Sequence, residues 1–148
     1  MKPTCDFLDE HGVAETVKTF EVNSRVEERV KTSGEGRVIV ANGSGSLRCA
    51  LCGDIIAAEA MANGWAGLVI WGDVRDVEPL GATNFGTMAL GQTPARCVRK
   101  GEDEVQAKLR LDGVAVSNGD YFVADADGAL VFPQNGPHLD AKSTHPHA

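Results

Sequence analysis

The sequence predicts one α/β domain with a mixed sheet, and three stretches carry that expectation. An Ala-rich helical segment opening at Asp54 runs into Leu68-Val69-Ile70-Trp71, a short apolar run of the kind that forms a strand covered on both faces. A second apolar run, Arg37 to Ala41, leads directly into the glycine-rich Asn42-Gly43-Ser44-Gly45-Ser46. From Glu104 the texture changes to short alternating segments separated by Asp112-Gly113, Asn118-Gly119 and Asp127-Gly128, dipeptides that favour hairpins. Helix-strand units build parallel sheet, whereas hairpins build antiparallel sheet.

In order, residues 1 to 12 read as a short polar helix or turn ending at Gly12. Thr16 to Val22 is rich in β-branched residues and reads as a strand. Ser24 and Glu27 have capping-box spacing for a short helix, with Val26 and Val30 on one face and Ser33 to Gly36 as its end. After the strand Arg37 to Ala41, the loop Asn42 to Ser46 has two readings: backbone N–H groups gathered for an anion, or a tight turn passing close to neighbouring backbone. Asp54 is a candidate N-cap and Asn63-Gly64 a left-handed stop. Beyond Asp76, Val77 to Ala82 reads as one helical turn, Gly86 to Leu90 as a strand, and Pro94 as the close of the α/β part. Val105 to Leu111, Gly113 to Val116, Tyr121 to Ala124 and Ala129 to Phe132 read as an antiparallel sheet packed beside it. The domain is expected over residues 1–135, with 136–148 a polar tail whose His138, His145 and His147 share no ligand spacing.

A length of 148 residues suits a single core. The net charge of -7 argues against direct nucleic-acid binding, which needs clustered cations, but leaves room for an acidic face that meets a basic protein segment. No run approaches the roughly 20 apolar residues of a membrane helix, and MKPTCDFLDEHG lacks a signal core, so a cytoplasmic location without membrane contact is expected. Cys49 and Cys52 form a lone C-x-x-C; with Cys5 and Cys97 they are expected to be reduced thiols, the redox and zinc readings lacking a second pair of ligands.

The chemistry centres on Asp54, Arg75 and Asp76. A helix followed by a parallel strand brings the helix N-terminus and the strand C-terminus to one sheet edge, where α/β proteins place ligands. Asp76 offers hard oxygens to Mg²⁺, Asp54 can hold one of the waters such an ion keeps, and the Arg75 fork grips a carboxylate. With one basic residue, the set suits a 2-oxo acid better than a phosphate ester. The competing reading is that Asp54 only caps its helix and Arg75 pairs with Asp73 or Asp76 at the surface.

The runs GEGRVIVANGSGSLRCALCGD and NGWAGLVIWGDVRDV, with the spacing D-x20-R-D, resemble the RraA-like family from about Thr16 to Phe132. That family includes 4-hydroxy-4-methyl-2-oxoglutarate aldolases with oxaloacetate decarboxylase activity, and regulators of ribonuclease E. The resemblance implies a compact swivelling β/β/α sandwich that assembles as a homotrimer or hexamer with its site near a subunit boundary. It implies Mg²⁺, or another divalent cation such as Mn²⁺, on Asp76 directly and on Asp54 through water. Arg75 would hold the substrate carboxylate, backbone N–H groups around Gly53, Ile55 and Ile56 would complete the pocket, and Arg75 with Asp54 would be the catalytic residues. The implied reaction releases pyruvate through a metal-stabilised pyruvate enolate, a species shared by retro-aldol cleavage and oxaloacetate decarboxylation. The alternative is a non-enzymatic regulator that binds a basic region of a ribonuclease or RNA helicase. A menaquinone-pathway methyltransferase label finds little support, because no adenosine-binding acidic residue follows the glycine-rich loop. The chain departs from the family pattern in a shortened N-terminal section and in lacking a long acidic C-terminal helix, which bears on the subunit interface and on a glutamate supplied by an adjacent subunit.

Overall fold

The computed structural model describes residues 2–3, 10–97, 104–125 and 127–134. The elements in order are β1 (Lys2–Pro3), β2 (Glu10–Lys18), α1 (Ser24–Val30), β3 (Val38–Asn42), β4 (Ala50–Cys52), α2 (Asp54–Ala62), β5 (Gly67–Val74), α3 (Val77–Ala82), β6 (Gly86–Gln92), β7 (Glu104–Val105), β8 (Leu109–Leu111), β9 (Val114–Val116), β10 (Tyr121–Asp125) and β11 (Gly128–Phe132). The sheet runs β1-β6-β5-β3-β2-β10-β11, with β4 beside β5, β7 beside β2, and β8-β9 as a separate hairpin. Its centre is parallel: β2 with β3, β3 with β5, and β5 with β6. The pairings of β1, β7, β10 and β11 are antiparallel, so the sheet is mixed as expected.

Alternation of side chains along the central strands makes two cores, one on each face. Ile39, Ala41, Leu68 and Ile70 join Val26 and Val30 of α1 and Ala57 and Ala60 of α2. Val38, Val40 and Val69 face the other way and meet Leu109, Leu111, Val116 and Phe122. Helices therefore cover one face and the β8-β9 hairpin with β10 the other, which is why β3 and β5 read as unbroken apolar runs. The helix-side core also takes Glu15, 1% exposed, because Arg29 and Arg37 reach its two oxygens at 2.6 and 3.0 Å.

Several expectations need correction. Glu10 to Gly12 belong to β2 instead of a helix or turn: they pair with β10, and the long-range ladder outweighs local polarity. A Cβ on Gly12 would stand 2.4 Å from the Gly36 carbonyl oxygen, so this glycine serves close approach, not helix termination. β2 ends at Lys18, short of Val22. The capping box does not form, since Asn23 occupies the N-cap of α1 and makes no side-chain cap bond. β4 is a strand that the segment Leu47 to Gly53 did not announce. Of the antiparallel segments, β8 and β9 do form a small sheet apart, packed beside the main one, whereas β10 and β11 extend the main sheet through the N-terminal half of β2.

Two of the three hairpin signals hold. Asp112 and Gly113, both at positive φ, join Leu111 to Val114, and Gly128 pairs with Asp125 across the second turn. Asn118-Gly119 instead carries the chain from β9 to β10, which pairs with β2. The run from Val105 to Leu111 breaks at Gln106, whose φ is 57°. Residues 4–9 with Cys5, and 135–148 with His138, His145 and His147, lie outside the described residues.

Candidate functional site

The site is assembled where β4 and β5 end side by side. The Arg75 N–H donates to the Cys52 carbonyl at 3.0 Å, extending that ladder by one rung. Asp76 then adopts a left-handed conformation, φ 58° and ψ 44°, and becomes the N-cap of α3. Aspartate tolerates this region better than most residues, at a cost on the order of 1 kcal/mol. The turn lays the Asp76 carboxylate over Gly53: its Oδ2 accepts from the Asp54 N–H at 3.4 Å and lies 3.8 Å from Arg75 Nε. A Cβ on Gly53 would stand 2.7 Å from that same oxygen, so the glycine makes room for the carboxylate.

Gly53, not Asp54, is the N-cap of α2; Asp54 is the first helical residue and makes no side-chain cap bond. The Ala57 N–H is bonded to the Gly53 carbonyl, which leaves those of Asp54, Ile55 and Ile56 as the first-turn donors. Asp54 spends its N–H on Asp76, and the Ile55 and Ile56 groups are left for a ligand at the positive end of the helix. Asp54, Arg75 and Asp76 thus converge, with Gly53, Ile55 and Ile56, around one cavity of about 180 Å³. The Arg75 and Asp76 side chains are 34% and 37% exposed, so their ion pair contributes little stability and both remain open to a ligand.

Three polar lining residues were not singled out from sequence as part of the site: Asn23 and Glu27 from the start of α1, and Arg96 beyond β6. Glu27 was read only as a capping partner. Asn23 lines the cavity, and its Oδ1 is buried without a hydrogen-bond partner. Arg96 had no local signal; it is placed by a parallel bridge to Ala50. A second recess, lined by Gln92, Thr93 and Pro94, opens on the other side of Arg75 and Asp76.

The cysteines correct the expectation of reduced thiols. Cys49 is joined to Cys97, with 4.9 Å between their Cα atoms, while Cys52 is a buried free thiol. Spacing in the C-x-x-C motif did not predict the partner, because the pairing rests on the segment after β6 returning beside β4. The Cys52 thiol is pushed up to about 12, first by burial and then by the negative charges of Asp76 and Asp54. It is inert as a nucleophile.

The Asn42 to Ser46 loop follows the tight-turn reading. The N–H groups of Gly43 and Gly45 both donate to the Trp71 carbonyl, at 3.0 and 3.2 Å, and a Cβ on Gly43 would collide with Leu51.

The donor set can hold a divalent cation of a particular kind. Asp76 and Asp54 present hard oxygens on one cavity wall. Among the described residues no group of three or more His, Cys, Asp or Glu side chains could form a cage. One or two carboxylates with several retained waters is the manner in which Mg²⁺ binds. No described helix is long and apolar enough to cross a membrane.

Comparison with known proteins identifies the family. A family model described as RraA-like, Aldolase/RraA, matches residues 1–131. A protein from Pseudomonas putida, provisionally named a 4-hydroxy-4-methyl-2-oxoglutarate aldolase, is 45% identical over 122 residues, 82% of this chain and 75% of its own. One from Alkalilimnicola ehrlichii, given the same name, is 46% identical over 121 residues with the same coverage. The RNA-processing inhibitor RraA from Thermus thermophilis superposes with a TM-score of 0.89 at 37% identity, over 96% of this chain and 85% of that one. A structure from Geobacillus kaustophilus titled S-adenosylmethionine: 2-dimethylmenaquinone methyltransferase gives 0.86 at 37% identity, over 88% and 81%. A family match across most of the sequence, relatives of this identity and a shared mixed α/β fold together establish that the chain belongs to the RraA-like family.

Proposed function

We propose that this protein is a divalent-metal-dependent carbon-carbon lyase that cleaves 4-hydroxy-4-methyl-2-oxoglutarate to pyruvate and also decarboxylates oxaloacetate. The observation that carries the proposal is the convergence of Asp54, Arg75 and Asp76 with the free first-turn N–H groups of α2 around one cavity. The names of the curated relatives support the aldolase reaction.

Each residue has a part that follows from its chemistry. Arg75 pairs with the carboxylate of the 2-oxo acid, and the Ile55 and Ile56 N–H groups stabilise the negative charge at the helix start. Asp76, and Asp54 through water, would hold a Mg²⁺ or Mn²⁺ ion, which would supply Lewis-acid chemistry to the 2-oxo acid. Asp54 accepts the proton of the substrate hydroxyl through a water, which lets the carbon-carbon bond break toward the pyruvyl fragment. The decarboxylation leaves the same fragment, so one arrangement of charges serves both reactions.

The assembly is read as a homotrimer or hexamer. Ile55, 74% exposed on the cavity rim, supports a subunit boundary beside the site. The resemblance to the Thermus inhibitor supports a second reading, a regulator that meets a basic region of a ribonuclease or RNA helicase through an acidic surface. Steady-state cleavage of 4-hydroxy-4-methyl-2-oxoglutarate separates the two. The lyase requires Mg²⁺, and Arg75→Ala raises its KM about 10- to 100-fold, the loss expected of a charged hydrogen-bonding pair. Turnover unaffected by chelator, or unchanged in Arg75→Ala, would count against the lyase.

A further inference from the structure

The cavity holds a second guanidinium whose place depends on a covalent link. β4 lies between two neighbours: β5, which delivers Arg75, and the segment after β6, which reaches β4 only through the Ala50-Arg96 bridge and the Ala50 N–H bond to the Ala95 carbonyl at 2.7 Å. Arg96 lies beside Ala50 and Arg75 one residue beyond the Cys52–Val74 pair, so the two flank β4 on opposite edges, roughly 10 Å apart across the strands and roughly 10 Å offset along them. Both line the cavity that Gly53 and Asp54 floor. Arg96 is exposed and forms no ion pair among the described residues.

The residue after Arg96 is Cys97, and the residue before Ala50 is Cys49; their disulfide closes the bridge one step beyond the two lining positions. A one-rung bridge fixes a chain segment weakly, so without the disulfide the segment carrying Arg96 loses its covalent anchor to the cavity wall.

We propose that Arg96 anchors the second carboxylate of a dicarboxylate substrate, and that the Cys49–Cys97 disulfide holds it there, so that the thiol-disulfide state sets the preference for dicarboxylate over monocarboxylate 2-oxo acids. This rests on the lyase reading for the first carboxylate, which Arg75 and the α2 N-terminus take. A substrate with a carboxylate at each end places one on each guanidinium. A monocarboxylate has nothing for Arg96 to grip.

The test measures binding, which is independent of turnover. The intact protein, with Mg²⁺ present, is titrated calorimetrically with 2-oxoglutarate and with 2-oxobutyrate. Arg96→Ala is expected to weaken 2-oxoglutarate about 10- to 100-fold, as loss of a charge-assisted pair does, and 2-oxobutyrate less than about twofold on the same grounds. A water-soluble phosphine opens the disulfide: two electrons and two protons give two thiols, and the phosphine becomes its oxide with oxygen from water. The reduced protein and Cys97→Ser are expected to lose dicarboxylate preference, and Arg96→Ala to show no further response to the phosphine. Reduced wild type serves if Cys97→Ser fails to fold. Equal weakening of both acids by Arg96→Ala, or preference unchanged once mass spectrometry shows the disulfide open, overturns the proposal. A protein with Arg96-dependent preference but no turnover defeats the lyase reading alone, whereas turnover with preference unchanged in Arg96→Ala defeats this proposal alone. Failure to bind either acid defeats both.

Discussion

Gly53→Ala isolates the site from the fold. The backbone there is extended, φ -141° and ψ -167°, which alanine adopts without strain. Its Cβ, however, would stand 2.7 Å from Asp76 Oδ2, 3.1 Å from Arg75 Cγ and 3.3 Å from Arg75 Nε. To regain an ordinary contact of 3.4 Å the carboxylate must retreat by about 0.7 Å. Asp76 is partly exposed and has solvent to retreat into, so the fold absorbs little of the clash. Alanine gains about 0.4–1 kcal/mol through the unfolded state and loses a similar amount as a poorer N-cap. The net change in stability is within about 1–2 kcal/mol, a few degrees in Tm for a chain of this size. A displacement of nearly 1 Å at a reacting centre costs on the order of 100-fold. We therefore expect kcat/KM for pyruvate release to fall about 30- to 100-fold, roughly 2–3 kcal/mol of transition-state stabilisation, with thermal melts by circular dichroism shifted by no more than a few degrees. Activity within threefold of wild type would refute the contact as a determinant of the site. So would a loss of activity explained by a melting temperature lower by more than about ten degrees.

Two further predictions concern buried groups. Asp73 is 1% exposed, its Oδ1 has no hydrogen-bond partner, and burial raises its carboxyl above the ordinary value of 3.8. A folded value above the unfolded one means that its favourable contribution is complete below about the unfolded value and is lost as the pH rises through the raised one. Asp73→Ala should thus stabilise the protein by about 1–3 kcal/mol at pH 7, the cost of an unsatisfied buried polar group, with the gain shrinking toward pH 3 in urea titrations. A gain independent of pH would contradict this. The Cys49–Cys97 link spans 48 residues, for which loop-closure entropy gives about 4 kcal/mol as an upper value. Cys97→Ser should lower the urea midpoint accordingly and abolish the response to reductant; a wild-type midpoint indifferent to reductant would refute the link.

What the sequence disclosed depended on the range of the interaction. α2, α3, β3, β5 and β6 were legible because each has its own periodicity or punctuation: Asn63-Gly64 with Gly64 at φ 83°, or Leu68 to Trp71 covered on both faces. Asp54, Arg75 and Asp76 were legible as a cluster because consecutive parallel elements must return to one edge. Features resting on distant pairing were not. The three residues of β4 are too few to carry a pattern, and Glu10 to Gly12 become strand only because β10 lies beside them. Arg96 and the Cys49–Cys97 link depend on the path after β6, which no local signal fixes. Asp54 shows a finer limit: it sits where a cap is expected, but Gly53 takes the N-cap so that Asp76 can approach.

In the proposed reaction Asp76 presents a divalent cation to a 2-oxo acid. Its most direct test is pyruvate release from oxaloacetate by the purified protein, with and without Mg²⁺, beside Asp76→Ala. Enzyme-dependent turnover that requires the metal and is lost in a folded Asp76→Ala protein is the expected result. Wild-type protein that is folded yet inactive with every divalent cation, or Asp76→Ala that retains metal-dependent turnover, would contradict it.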